Sequence, residues 1–175
     1  MTIKVISGGQ TGMDQFGLRT ARKLGIKTGG TTVKGFRTEN GNNPSLKKFG
    51  LADTASSYAE RTKINVKDSD ITLIWSQNRK SSGTICTISA CNDTRTSCYV
   101  NQWNPEVIML VIRRMISVRN TETEQDFVIN IAGNRGSKMD KDFSNRAIIT
   151  LYKVLKELKE WQDAGFPEEK PFPQL

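Results

Sequence analysis

Short apolar runs separated by stretches of helical periodicity outline the chain. Residues 2–6 (TIKVI) read as a strand, and residues 14–24 place Phe16, Leu18, Ala21 and Leu24 at near-helical spacing with Gly25 as the stop. Residues 26–30 give a second strand ending in Gly29 and Gly30. A helix capped by Ser56 or Ser57 is expected through Asp68, followed by an apolar strand over 71–75 (ITLIW) of the kind buried on both faces. A helix over 84–92, a weaker strand over 97–100, a helix over 105–119 opened by Pro105, a strand over 127–132 (FVINIA) and a last helix over 142–161 complete the pattern. Residues 31–55 show little periodicity, and a loop of that length within a compact domain is usually functional or mobile.

Alternating strand and helix predict the α/β class, a doubly wound parallel sheet with helices on both faces. Such sheets bind ligands at the carboxyl ends of their strands, where the strand order reverses. The glycine-rich or small-residue turns after the first, second, third and fifth strands all fall on that edge, a clustering that packing alone does not require.

The first of these turns organises the rest. In IKVISGGQTGMD (residues 3–14) an apolar strand breaks at Gly8, Gly9, Gln10, Thr11 and Gly12 and runs into a helix, with Asp14 in its first turn. Such a junction leaves backbone N–H groups pointing into one concavity at the positive end of the helix dipole, which favours an anion. Ser7 replaces the first glycine of the dinucleotide fingerprint, and the ribose-holding acid expected about 20 residues on is missing, which argues against NAD. No Gly-Lys-Ser/Thr follows, so this is no P-loop. Beyond the second strand, whose end is marked by Gly30, come Lys34, Gly35 and Arg37, basic side chains and a turn able to close over an anion. Arg61 and Asn65, four apart, share a helical face and could reach the same cleft. Ser82, Gly83 and Thr84 repeat the logic after the third strand, and Gly133, Arg135 and Ser137 after the fifth.

Composition narrows the chemistry. With 175 residues the chain has the size of one domain, expected over residues 1–163, with a Pro-rich tail over 164–175. The net charge of +8 attracts oxyanions, yet the basic residues are dispersed and no basic tail or aromatic-interleaved motif marks nucleic acid. Three cysteines without a CxxC pair, and no histidine, argue against a protein-bound metal and remove Ser-His and Cys-His nucleophilic schemes. No signal peptide or spanning stretch is visible, so a cytoplasmic location is expected.

ISGGQTGMD, TGGTTVKGFRTENG, YAERTKINVKDSDITLI, SSGT and INIAGNRGSK, in that order and spacing, resemble the molybdenum cofactor carrier proteins. These form a branch of the SLOG superfamily of Rossmann-like nucleotide-ligand binders, related to the lonely-guy phosphoribohydrolases. The resemblance implies a five-stranded Rossmann-like sheet of order 2-1-3-4-5, a homo-oligomer (dimer or tetramer), and a basic cleft for the pterin-phosphate molybdenum cofactor (molybdopterin) or a nucleotide-derived ligand. It carries ligand binding to Gly8, Gly9, Gln10, Thr11, Gly12, Gly30, Lys34, Gly35, Ser82, Gly83, Thr84, Gly133, Arg135 and Ser137. Four positions depart from the family pattern: Gln15 for a basic residue, Thr31 for an aromatic, Ser82 for a glycine and Gly136 for an acid.

The expected function is to carry or sequester a phosphate-bearing small molecule, with a sponge for an ADP-ribose-like or cyclic nucleotide signal as a close variant. The enzymatic alternative is a nucleotide N-glycosidase. Its relatives need a carboxylate in the helix after the Ser82-Gly83-Thr84 turn, and residues 85–92 supply none. Binding therefore ranks above catalysis.

Overall fold

The computed structural model describes residues 1–119 and 125–167. Outside residues 31–55 the helices and strands follow the hydrophobic pattern; in order the elements are β1 (Ile3–Ile6), α1 (Met13–Lys23), β2 (Lys27–Val33), β3 (Arg37–Thr38), β4 (Gly41–Asn42), β5 (Leu51–Ala55), α2 (Tyr58–Lys67), β6 (Ile71–Trp75), α3 (Ser82–Thr94), β7 (Ser97–Val100), α4 (Pro105–Ser117), β8 (Phe127–Gly133) and α5 (Lys141–Asp163). Helix starts are set by side-chain caps. Ser57 accepts the Glu60 N–H at α2, Ser81 the Thr84 N–H at α3, Asn104 the Glu106 N–H at α4 and Asp140 the Phe143 N–H at α5. The tail expected over 164–175 lies outside the described residues from 168 onward.

Six parallel strands form one sheet in the order β5-β2-β1-β8-β6-β7. The α/β, doubly wound expectation therefore holds, and the strand order differs from 2-1-3-4-5. The last strand, β8, enters the centre and pairs with β1 (Ile3↔Phe127 to Ile6↔Asn130) and with β6 (Ile71↔Ile129 to Trp75↔Gly133). Alternation of elements does not say which strands are neighbours. The composition of β8 does favour a central place, since Phe127, Ile129 and Ile131 are all buried and a central parallel strand is covered on both faces. Counted from β8, the sheet reads 4-3-2-1-5-6, the doubly wound 3-2-1-4-5 pattern with one strand added at its edge.

The added strand comes from the stretch expected to be a loop. Residues 31–55 continue β2 to Val33, make the small β3–β4 hairpin, turn through a 3-10 helix (Pro44–Phe49) and return as β5 on the outer side of β2. A satellite core of Leu18, Leu46, Phe49 and Leu51, joined by Phe36, fixes this segment. Only one or two apolar residues per turn suffice for that, too few to register as periodicity.

Helices α1, α4 and α5 cover one face and α2 and α3 the other. The main core lies under the first group, with Trp75, Ile129, Ile131, Ile112, Leu151 and Leu155 buried together.

Candidate functional site

The turns after β1, β2, β6 and β8 meet at one edge of the sheet. A side chain at Gly12 would put its Cβ 2.4 Å from the Asn134 carbonyl oxygen and 2.7 Å from the Gly136 nitrogen, so the β1 and β8 turns touch backbone to backbone. The Gly136 N–H donates to Thr11 Oγ at 3.0 Å. At Gly30 a Cβ would lie 2.3 Å from the Ser7 carbonyl oxygen, which brings β2 against β1. Asn134 ties the β8 turn to the β6 turn: its Oδ1 accepts from Ser76 Oγ and the Asn78 N–H, both at 3.1 Å, and its Nδ2 donates to Ser81 Oγ at 3.3 Å. The chain leaves β1 toward one side of the sheet and β6 toward the other, with β8 between them, so this edge holds a topological switch point.

Asp14 is buried in the first turn of α1, beneath the glycine turn. Its Oδ2 accepts the Gln10 N–H at 3.1 Å and lies 2.8 Å from Nη1 of Arg61. Burial raises the Asp14 pKa, more than Arg61 and the Gln10 N–H lower it. The Arg61 guanidinium lies flat over Gly8, where a Cβ would come within 2.2 Å of Nη1. Glycine there is what lets an arginine cover the turn. Gly9 packs under Leu46 and Leu51.

Around this turn, among the described residues, three polar atoms are buried without a hydrogen-bond partner: Ser7 Oγ, Thr32 Oγ1 and Arg61 Nε. Each such atom costs about 1–3 kcal/mol. Lys34, Gly35 and Arg37 are exposed at the rim, the Arg37 guanidinium 5.4 Å from the Tyr58 ring centroid and that of Arg61 5.7 Å from it. The Gly35 N–H donates to Asp53 at 3.3 Å.

The remaining expected residues are placed as follows. Asn65 is buried, with Oδ1 accepting the Thr31 N–H and Nδ2 donating to the Thr31 carbonyl, both at 2.8 Å, so its amide serves the backbone of β2. Thr84 is buried between Ser76 Oγ (2.7 Å) and Ser81 Oγ (2.9 Å). Ser82 and Gly83 are exposed, and a Cβ on Gly83 would meet open space. Gly133 holds the β8 end 2.0 Å, at the Cβ position, from the Trp75 carbonyl. Arg135 and Ser137 both face Glu39, a residue that sequence reasoning passed over. Its carboxylate accepts from Thr11 Oγ, the Ser137 N–H and Ser137 Oγ, with Arg135 Nε at 3.8 Å. Burial works to raise the Glu39 pKa, and the bonds from Ser137 and Thr11 with the Arg135 charge bring it below the usual range. Gln10 closes the same corner, its Oε1 accepting the N–H groups of Thr11 and Glu39 at 3.0 and 2.9 Å.

Two cavities open away from this edge. One of about 380 Å³ lies at the amino ends of the strands among Lys4, Asp70, Arg119 and Asp126, and one of about 210 Å³ lies between α2 and α3. Neither includes a residue of the glycine turns. Among the described residues no cluster of His, Cys, Asp and Glu could hold a metal ion, and no helix is long and apolar enough to cross a membrane.

The central β8 has a counterpart in the family comparison. The Circularly permutated YpsA SLOG family matches residues 5–155. The chain is also similar to the crystal structure of the "Putative molybdenum carrier protein" from Syntrophus aciditrophicus SB, with 31% identity over 88% of this chain and 94% of that one and a TM-score of 0.69. No curated protein matches. A sheet that reads in the doubly wound order only when counted from its last strand, and a match over residues 5–155, place this chain in the circularly permutated YpsA SLOG family, where it is molybdenum carrier-like.

Proposed function

We propose that this chain binds a phosphate-bearing small molecule at the carboxyl edge of its sheet and carries or sequesters it. The observation that supports this is the set of buried, unpartnered polar atoms around the first glycine turn, Ser7 Oγ, Thr32 Oγ1 and Arg61 Nε. A folded chain tolerates such atoms where a ligand completes their hydrogen bonds. Arg61 over Gly8 and the exposed Lys34 and Arg37 supply positive charge at the β1 and β2 end of this edge, and the open backbone at Ser82 and Gly83 supplies N–H groups after β6. The candidate ligand residues remain Gly8, Gly9, Gln10, Thr11, Gly12, Asp14, Gly30, Lys34, Gly35, Arg37, Arg61, Ser82, Gly83, Gly133, Arg135 and Ser137, with Asn65 and Thr84 supporting them from below.

The solved relative is named a molybdenum carrier, and the cargo we propose for this chain is the molybdenum cofactor. The phosphate end of a pterin-phosphate fits a donor set of guanidinium, hydroxyl and N–H groups, and a nucleotide-derived ligand presents the same end. Cytoplasmic location and self-association belong to this reading. Exposed Val107 and Leu110 on α4 and Ile149 and Tyr152 on the adjoining α5 offer an apolar face for a second copy.

Mass spectrometry of small molecules released from freshly purified protein tests the proposal. The released compound, added back at 100 times its dissociation constant, should stabilise the fold by about 2.7 kcal/mol. A protein that releases nothing and is not stabilised by pterin phosphates or nucleotides would refute it. The raised pKa of Asp14 favours a second reading, a nucleotide N-glycosidase with Asp14 as acid. Free base appearing on incubation with nucleoside monophosphates, and disappearing in Asp14→Asn, would establish it.

A further inference from the structure

Glu39 stands on the tip of the β3–β4 hairpin, far in sequence from the groups it meets. Its carboxylate faces the Thr11 and Ser137 hydroxyls, the Ser137 N–H and the Arg135 guanidinium. Hydroxyl, backbone N–H and guanidinium, converging from two glycine turns, are what a phosphate or carboxylate group of a ligand would meet. The carboxylate is largely withdrawn from solvent, with 12% of the side chain exposed. The hairpin that delivers it is slight. Each of its strands is two residues long, and Phe36 is its apolar anchor on the Leu46–Leu51 satellite core. Its other attachments include the Glu39 N–H to Gln10 Oε1 and the Asn43 N–H to the Phe36 carbonyl. The 3-10 helix and β5 that follow are packed independently through Leu46, Phe49 and Leu51. The hairpin is a two-stranded sheet of its own, so its displacement would break no strand pair of the six-stranded sheet.

We propose that Glu39 is an internal competitor for an anion seat formed by Thr11, Arg135 and Ser137, and that an incoming phosphate or carboxylate group binds there by displacing the hairpin tip. This rests on the carboxyl edge being an anion site and adds which part of it the chain itself occupies. A negatively charged residue in the seat makes the seat selective. A ligand must bring an anionic group strong enough to replace an intramolecular carboxylate, so small inorganic anions at low concentration are rejected. The apparent affinity falls in proportion to the open fraction, so a seat open about one tenth of the time binds about tenfold more weakly than a free one.

The experiment is titration of inorganic phosphate into wild type, Glu39→Gln and Glu39→Ala by calorimetry and thermal shift at fixed ionic strength, with chloride as control. Glu39→Ala should bind phosphate at least about tenfold more tightly than wild type. Glu39→Gln, which keeps the shape and loses the charge, should fall between them and guards against a folding defect in the alanine variant. Adding Ser137→Ala to Glu39→Ala should remove the gain. Equal phosphate affinity in wild type and both Glu39 variants overturns the proposal. If that equal binding is measurable, the wider reading of the edge survives. If phosphate fails to bind to any of the three, and a panel of pterin phosphates and nucleotides fails as well, the wider reading falls too.

Discussion

Asn65→Ala separates a structural from a ligand-contacting role at a position where spacing alone suggested the cleft. β2 runs alongside β1 as far as Gly29, opposite Ile6, and then continues past the point where β1 turns away at Ser7. The next peptide groups of β2, at Thr31, would have no neighbour on that side. The Asn65 amide takes the place of the missing strand, accepting the Thr31 N–H and donating to its carbonyl at 2.8 Å each, with Asn65 2% and Thr31 8% exposed. Removing it leaves one buried donor and one buried acceptor unmade, at about 1–3 kcal/mol apiece, hence about 2–6 kcal/mol in all. For a chain of this size that corresponds to a fall in Tm of at least about 4 °C. Urea unfolding of ligand-free protein, followed by circular dichroism, measures it. Asn65→Asp gives a signed control. Its carboxylate faces the Thr31 carbonyl oxygen, its folded pKa is raised, and the stability it retains at low pH is lost as pH rises from about 3.9. An Asn65→Ala protein within about 0.5 kcal/mol of wild type, the range of an ordinary surface substitution, would refute the assignment.

Other substitutions test other parts of the edge. Asp14 holds its proton more tightly in the fold than in the unfolded chain, so wild type should lose stability relative to Asp14→Asn as pH rises above about 4. Urea unfolding across a pH series reads this, and a gap moving the other way would mean that Arg61 keeps the carboxylate ionised. Gly133→Ala pushes a Cβ to 2.0 Å from the Trp75 carbonyl and should leave little soluble, folded protein. Gly83→Ala, with open space around it in α3, should instead leave stability unchanged or raise it by up to about 1 kcal/mol. Ser57→Ala removes the cap that accepts the Glu60 N–H and should cost about 1 kcal/mol, read as a lowered urea midpoint at unchanged slope.

The sheet and its glycine edge were legible because both write themselves into local sequence. ITLIW and FVINIA are apolar runs interrupted only by Thr72 and Asn130, and the glycine turns after β1 and β8 follow directly on their strands. The placement of β8 was not legible, since a strand's neighbours are chosen by long-range burial and by the return path through α4. β5 escaped because LADTA is buried only at its two ends, Leu51 and Ala55, and looks like loop. At the site, Arg61 was found through its helical spacing, yet its partner Asp14 lies 47 residues away and no pattern links them. Glu39 was missed for the same reason. A single acid in the hairpin turn TENG carries no signal until folding brings Thr11 and Ser137 to it.

The central position of β8 bears on how the protein is made. Synthesis delivers β1, β2, β5, β6 and β7 first, and the strand that joins the two halves emerges last. Until then β1 and β6 each present an unpaired inner edge, an invitation to association with other nascent chains. Completion of the sheet must wait until residues 127–133 clear the ribosome, so the five earlier strands are expected to lean on chaperones during translation.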